Sequence, residues 1–276
     1  MVSAALCWSL SGILVRNVSV TNPWEIVFWR SAFMTLFMAL VLARWHGTAA
    51  LGKIRAVGRA GLLSGALLAS MFFFFILSLT RTTVANTMVL TSVAPLFVAL
   101  FGRWFLGERI AARTWVTMFA ALAGITLMFA DSLAGGGTAG NLLALCVPLA
   151  FGLNVSVLKR MHASVDMVPA VLVAGVISSL IALPLAWPFS ATSNDLVFLS
   201  ALGFLQLGMG CLLMTLATRR LAAAEIGLYS LLENVAAPLW VWIGIGEHPG
   251  TLALAGGAVV IGSIAANQWL ALRAGR

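Results

Sequence analysis

Apolar runs of about twenty residues follow one another along the whole chain, at about 2–20, 25–43, 59–79, 83–104, 111–130, 140–159, 166–187, 195–217, 222–244 and 251–271. A helix needs about 20 apolar residues to cross the hydrocarbon core of a bilayer. Inside lipid every backbone N–H and C=O must be paired within the protein, which leaves helices or closed barrels. The runs lack the polar alternation of barrel strands. The fold class expected is therefore all-α integral membrane, with ten transmembrane helices. The linkers are short and carry turn residues: Asn22-Pro23, Gly135-Gly136-Gly137, Ser193-Asn194-Asp195 and His248-Pro249-Gly250.

The spans leave little of the 276 residues for anything else, and no large soluble domain fits beside them. Only 9% of the residues are charged, whereas soluble domains carry about 25%. The net charge of +8 does not point to nucleic acid, because the basic residues stand singly or in pairs at the ends of apolar runs. They set topology instead. With the N-terminus inside, Arg44, Lys53, Arg55, Arg59, Arg103, Arg109, Arg113, Lys159, Arg160, Arg219, Arg220, Arg273 and Arg276 all fall on the cytoplasmic side, thirteen of the sixteen Lys and Arg. Both termini are thus expected in the cytoplasm. Arg16, Arg81, Glu25, Asp131, Asp195 and Glu247 fall on the other side. Cys7, Cys146 and Cys211 lie inside apolar runs without metal-ligand spacing, so no metal or cofactor is expected. The opening stretch lacks a basic n-region and a clear cleavage site, and is expected to be a first span, not a signal peptide.

The chain also repeats itself. Gly107-Glu108 ends the fourth run and Gly246-Glu247 the ninth, 139 positions apart. The same offset lays Leu6-Cys7 on Leu145-Cys146 and the spans of one half on those of the other. The halves expected are residues 1–134 and 138–276, each with five helices. Five is odd, so the second half faces the opposite way across the membrane. Inverted repeats of this kind build transporters, with the solute site near the midplane between the halves. One chain holds both halves, so a monomer is sufficient.

Polar residues inside the spans mark the candidate site. Glu233 and Asn234 sit in the middle of an apolar stretch, and a carboxylate at bilayer depth costs several kcal/mol unless it faces a bundle interior or a wet cavity. Helical spacing puts Tyr229, Ser230, Glu233 and Asn234 on one stripe. Glu233 can contact an ammonium group, take up a proton, or make a structural hydrogen bond. Thr87, Thr91 and Pro95 share a stripe of the fourth span, and Pro95 frees a carbonyl near position 91. Trp8 and Ser11 share a face of the first span, where Trp8 can stack on a solute. Asn154 and Gln206 are lone amides at mid-span that need partners in the bundle. The expected lining is Trp8, Ser11, Thr91, Asn154, Gln206, Tyr229, Ser230, Glu233 and Asn234, with Pro95 and Pro238 at gates. Within the band Phe72 to Phe75, at most two rings can face a cavity. Arg30 either grips a solute carboxylate through its forked donors or serves the helix, as an anchor or as a partner of Glu25, and the second reading is favoured. Gly61 and Gly65 have the spacing for close helix approach, and the Gly-Glu turns are expected to cap helices.

Several of these stretches together resemble the drug/metabolite transporter superfamily in its ten-helix EamA branch. They are Trp8 followed by Arg16, Arg30 in the second span, TSVAPLFVALFGRWFLGERI (91–110) and SLLENVAAPLWVWIGIGE (230–247). Two departures are Asn234 in place of a proline and His248 after Gly-Glu. The overall layout is similar to the YddG-like exporters, which are associated with aromatic amino acids. The resemblance implies a basket of helices around a central cavity, alternating access, and export from a bacterial inner membrane. The leading function is a secondary transporter for aromatic or other neutral amino acids and similar small amphipathic metabolites. A multidrug, lipophilic-cation or nucleotide-sugar carrier is the alternative. No G-x-x-x-x-G-K-[ST] loop occurs, so ATP hydrolysis in this chain is not expected. A lipid-modifying enzyme would need a catalytic cluster, and His46, His162 and His248 lie in loops on both sides of the membrane. No filter motif of a channel occurs.

Overall fold

The computed structural model describes residues 1–130, 133, 137–161, 165–246 and 250–274. Asp131, Gly135, Gly136, His162, Glu247, His248, Pro249 and Arg276, which enter the sequence argument, lie outside the described residues. Within them the helices fall into ten spans. The second is Pro23–His46, the third Gly58–Leu79, the fifth Ala112–Met128, the sixth Thr138–Met161, the seventh Pro169–Ala186 and the tenth Thr251–Ala274. The other four are interrupted. The first span is Val2–Ser9 then Ser11–Val15, the fourth Val84–Thr91 then Ala94–Leu106, and the ninth Ala223–Ser230 then Leu232–Ile245. The eighth runs Ser193–Ala201, Leu202–Met209 and Gly210–Ala217, with a π-helical middle. Among the described residues eight spans are long and apolar enough to cross a membrane, while Val2–Val15 and Ala112–Met128 are shorter apolar helices.

Local chemistry sets the ends. Asn22 caps the second span by accepting from the Trp24 N–H, and Pro23 occupies the first helical position, where a missing N–H costs nothing. Thr83 caps the fourth span through the Asn86 N–H, and Thr192 with Asp195 forms a capping box on the eighth. Gly107 and Gly246 close the fourth and ninth spans with φ of 68° and 80°, a left-handed conformation that favours glycine. These two turns stand 139 positions apart, as the sequence offset requires. Glu108 then caps the next helix in space: its carboxylate accepts the Ala223 N–H at 2.9 Å and pairs with Lys159 at 2.7 Å. Lys159 also donates to the Leu221 carbonyl.

The halves pack in matched pairs. The second span lies on the seventh, the fourth on the ninth and the fifth on the tenth. Contacts of the third span with the sixth are mirrored by those of the eighth with the first, and third–seventh by eighth–second. The main core joins Met34 and Met38 of the second span to Leu68, Val155, Val171 and Met214. The fifth and tenth spans stand to one side, held by Ala121 and Ile125 against Val260 and Ile264. Gly65 allows the close approach expected of it, since a Cβ there would lie 3.1 Å from the Ala174 amide nitrogen. Gly61 instead faces Val57 of its own chain segment. Leu40, Leu62, Phe119, Leu180, Ile243 and Leu254 are exposed around the bundle, an apolar belt suited to lipid.

A central cavity as the candidate functional site

A cavity of about 150 Å³ lies where the interrupted spans meet. Its lining follows the internal repeat. Leu68 and Leu207, Phe72 and Cys211, Phe75 and Met214, Thr91 and Ser230, Ser92 and Leu231, and Ala94 and Glu233 all line it, each pair 139 positions apart. Trp8 and Val147 make a further such pair. The cavity therefore sits on the axis relating the halves. Its chemistry is asymmetric at two of these pairs, where Ser92 matches Leu231 in the repeat and Glu233 stands for Ala94.

The breaks in the fourth and ninth spans arise differently. Pro95 has no N–H for the carbonyl of Thr91, so the fourth span cannot run through as an α-helix. Val93 N–H turns to the Leu90 carbonyl and Leu96 N–H to that of Val93, both three residues back. In the ninth span Asn234 keeps its N–H but gives it to Leu231, again three residues back, and Leu231 gives its own to Leu228. Asparagine's competing side-chain bonds make it a poor interior helix residue. Its side-chain amide here donates to the Ser92 hydroxyl at 3.2 Å, joining the two breaks. Behind them Gly227 packs on the proline, and a Cβ there would stand 2.8 Å from Pro95 Cα. Pro238 lies inside the continuous segment Leu232–Ile245, and the ninth span breaks at Leu231 instead. Pro95 is buried at the start of Ala94–Leu106.

Of the residues expected to line a solute path, Trp8, Ser11, Thr91, Gln206, Ser230, Glu233 and Asn234 do meet around the cavity. Asn154 and Tyr229 do not. Asn154 is fully buried between helices, where its Oδ1 accepts the Ser64 hydroxyl at 2.6 Å. Tyr229 packs with Leu231 toward the fifth and tenth spans. The break at Leu231 interrupts the helical stripe that would have carried Tyr229 with Glu233.

Arg30 departs from the favoured expectation. It lies two turns past Pro23, about 10 Å down the helix at a rise of about 1.5 Å per residue. It is 4% exposed, lines the cavity and sets its guanidinium over the Phe72 ring at 5.5 Å. Glu25 is not its partner. That carboxylate is buried and accepts the Ser190 N–H, the Ser190 hydroxyl and the Ala191 N–H at 2.7–3.0 Å. Depth was the signal in the sequence, since an arginine two turns inside cannot easily reach the interface. Ser92, Met88, Phe151 and Cys211 also line the cavity, though none was expected there. The repeat offset would have found Cys211 from Phe72.

Among the described residues neither Arg30 nor Glu233 has an ion-pair partner. Each formal charge at bilayer depth costs about 2.5–3.5 kcal/mol on the gentlest scales. The rest of the wall is largely apolar and aromatic, and Trp8 meets Phe151 edge-on at 6.2 Å and 81°. One basic and one acidic side chain thus face a small aromatic-walled space. No cluster of three His, Cys, Asp or Glu able to hold a metal occurs among the described residues.

Two like five-span halves that meet at a central cavity through interrupted helices have the architecture of a membrane carrier. The EamA-like transporter family model matches twice, over residues 1–130 and 138–267, and the chain belongs to that family. It is a transporter and not an enzyme. The pseudopaline exporter CntI of two Pseudomonas aeruginosa strains, UCBPP-PA14 and PAO1, is 28% identical over 271 residues, covering 94% of this chain and 91% of the relative. A solved crystal structure superposes with a TM-score of 0.85 at 17% identity, covering 98% of this chain and 96% of the other, and shows the same fold.

Proposed function

We propose that this transporter exports amino acids and related small amphipathic metabolites across a bacterial inner membrane. The carrying observation is that Arg30 and Glu233 line one cavity without being paired to each other. A zwitterion supplies both missing partners. Its carboxylate accepts the forked donors of Arg30, and its ammonium lies against the Glu233 carboxylate. The apolar part of the solute rests among Trp8, Phe72, Phe75 and Phe151.

Size supports the same class. A cavity of about 150 Å³ is smaller than the roughly 300–1,000 Å³ of drug-sized pockets and resembles those that take a single benzene ring. An amino acid suits it better than a nucleotide sugar. A lipophilic cation is disfavoured by the Arg30 charge in the same space. Export agrees with the printed activity of the Pseudomonas relatives. The halves, residues 1–134 and 138–276, rock about the cavity, with Ser92-Val93 and Leu231 as hinges beside Pro95 and Pro238 as gate residues.

The test is uptake and counterflow of labelled neutral amino acids by purified protein in liposomes. Saturable uptake accelerated by unlabelled amino acid on the far side is expected. Glu233→Gln should lower it at least about tenfold through loss of a charged contact. Normal transport by Glu233→Gln would remove the carboxylate from the site.

A further inference from the structure

The π-helical stretch Leu202–Met209 interrupts the eighth span at the level of the cavity. Such turns are frequent at functional sites. Its counterpart 139 positions earlier lies within Gly58–Leu79, which is regular α-helix. The two stretches show what the wider turn achieves. Leu68, Phe72 and Phe75 line the cavity, as do their equivalents Leu207, Cys211 and Met214. Gln206 lines it too, whereas its equivalent Leu67 does not. Met71 of the third span also lines it, while its equivalent Gly210 does not, so each span gives four lining residues and the π-helical stretch puts an amide among those of the eighth.

The stretch is docked on the turn that carries Arg30. Gly203 comes so near the second span that a Cβ there would lie 2.7 Å from the Arg30 carbonyl oxygen. Gln206 itself is 6% exposed, and its Oε1 has no hydrogen-bond partner. Of the buried polar atoms left without a partner among the described residues, two belong to cavity-lining side chains, Arg30 Nε and Gln206 Oε1. One is a donor and the other an acceptor. A buried amide oxygen without a partner is unfavourable until something pairs with it.

We infer that Gln206 is a specificity-determining residue, selecting zwitterions whose short side chain carries a hydroxyl or carboxamide over purely aliphatic ones of the same size. The inference rests on the zwitterion reading of Arg30 and Glu233. The solute hydroxyl donates to Gln206 Oε1, or its oxygen accepts from the amide N–H. An isosteric aliphatic solute leaves the amide unpaired in a space walled by Phe and Met. Sites built to hydrogen-bond a solute group discriminate strongly against analogues that lack it.

Threonine and valine have nearly the same shape and differ in one hydroxyl, so they isolate this contact. Initial rates of uptake of each, labelled, are measured in proteoliposomes for the unaltered protein, for Gln206→Leu and for Gln206→Met. The expected kcat/KM ratio favours threonine by at least about tenfold in the unaltered protein, the loss from one unpaired buried group. In both variants the ratio falls to within about twofold. If a variant does not fold, the unaltered protein still decides. Equal handling of threonine and valine overturns the role of Gln206 and leaves the zwitterion reading standing. A threonine preference that survives both substitutions also overturns it. No saturable uptake of any amino acid overturns the zwitterion reading and this inference with it.

Discussion

Arg30 reaches the cavity from the second span and Glu233 from the ninth. If Arg30 grips a carboxylate through its planar fork, lysine cannot replace it, because a compact ammonium on a flexible stem lacks that geometry. Arg30→Gln is expected to raise KM about tenfold to a hundredfold, the equivalent of about 1.5–3 kcal/mol for a charged hydrogen bond, and Arg30→Lys to recover little of it. Unchanged KM in Arg30→Gln, measured in proteoliposomes, takes the guanidinium out of the site. At this scale the sequence distinguishes kinds of residue better than their directions. Asn154 and Gln206 look alike in the linear text, each a lone amide in mid-span. One is packed on Ser64 and the other faces the cavity. Helix rotation and a π turn separate them, and neither is written in local composition.

Pro95 made the fourth-span break legible, but the ninth-span break at Leu231 has no proline or glycine to mark it. Pro238 drew attention instead, and the helix continues through it. Asn234 stands where the repeat has Pro95, and its N–H is bonded only to Leu231 three residues back. Position 234 also falls in the first turn of Leu232–Ile245, where proline is tolerated. Asn234→Pro is therefore expected to fold, with a Tm within a few degrees of the unaltered protein by thermal melting in detergent. Loss of the monodisperse folded species would mean that the ninth segment needs this N–H. Transport by the variant should fall, since the tie from Asn234 to Ser92 between the two breaks is lost.

On the scale of the whole molecule, the sequence offset of 139 positions reappears as geometry. It recurs in the left-handed glycines Gly107 and Gly246, in the breaks at Ser92-Val93 and Leu231, and in the paired cavity walls. The fold was readable because lipid leaves helices as the remaining choice and the repeat fixes their order. The charge pair was half readable. Glu233 stood out in an apolar run, while Arg30 looked like an interfacial anchor until packing set it over Phe72. The cavity lies on the axis between the halves, and one chain supplies both walls. The central claim is that this cavity requires both charges of a zwitterion at once. It is tested most directly by equilibrium binding to the purified protein of the most strongly transported amino acid, its decarboxylated amine and its deaminated acid. The account predicts that each single-charge analogue binds at least about tenfold more weakly than the amino acid. An amine that binds as tightly as the amino acid would contradict it and make the cavity a cation site.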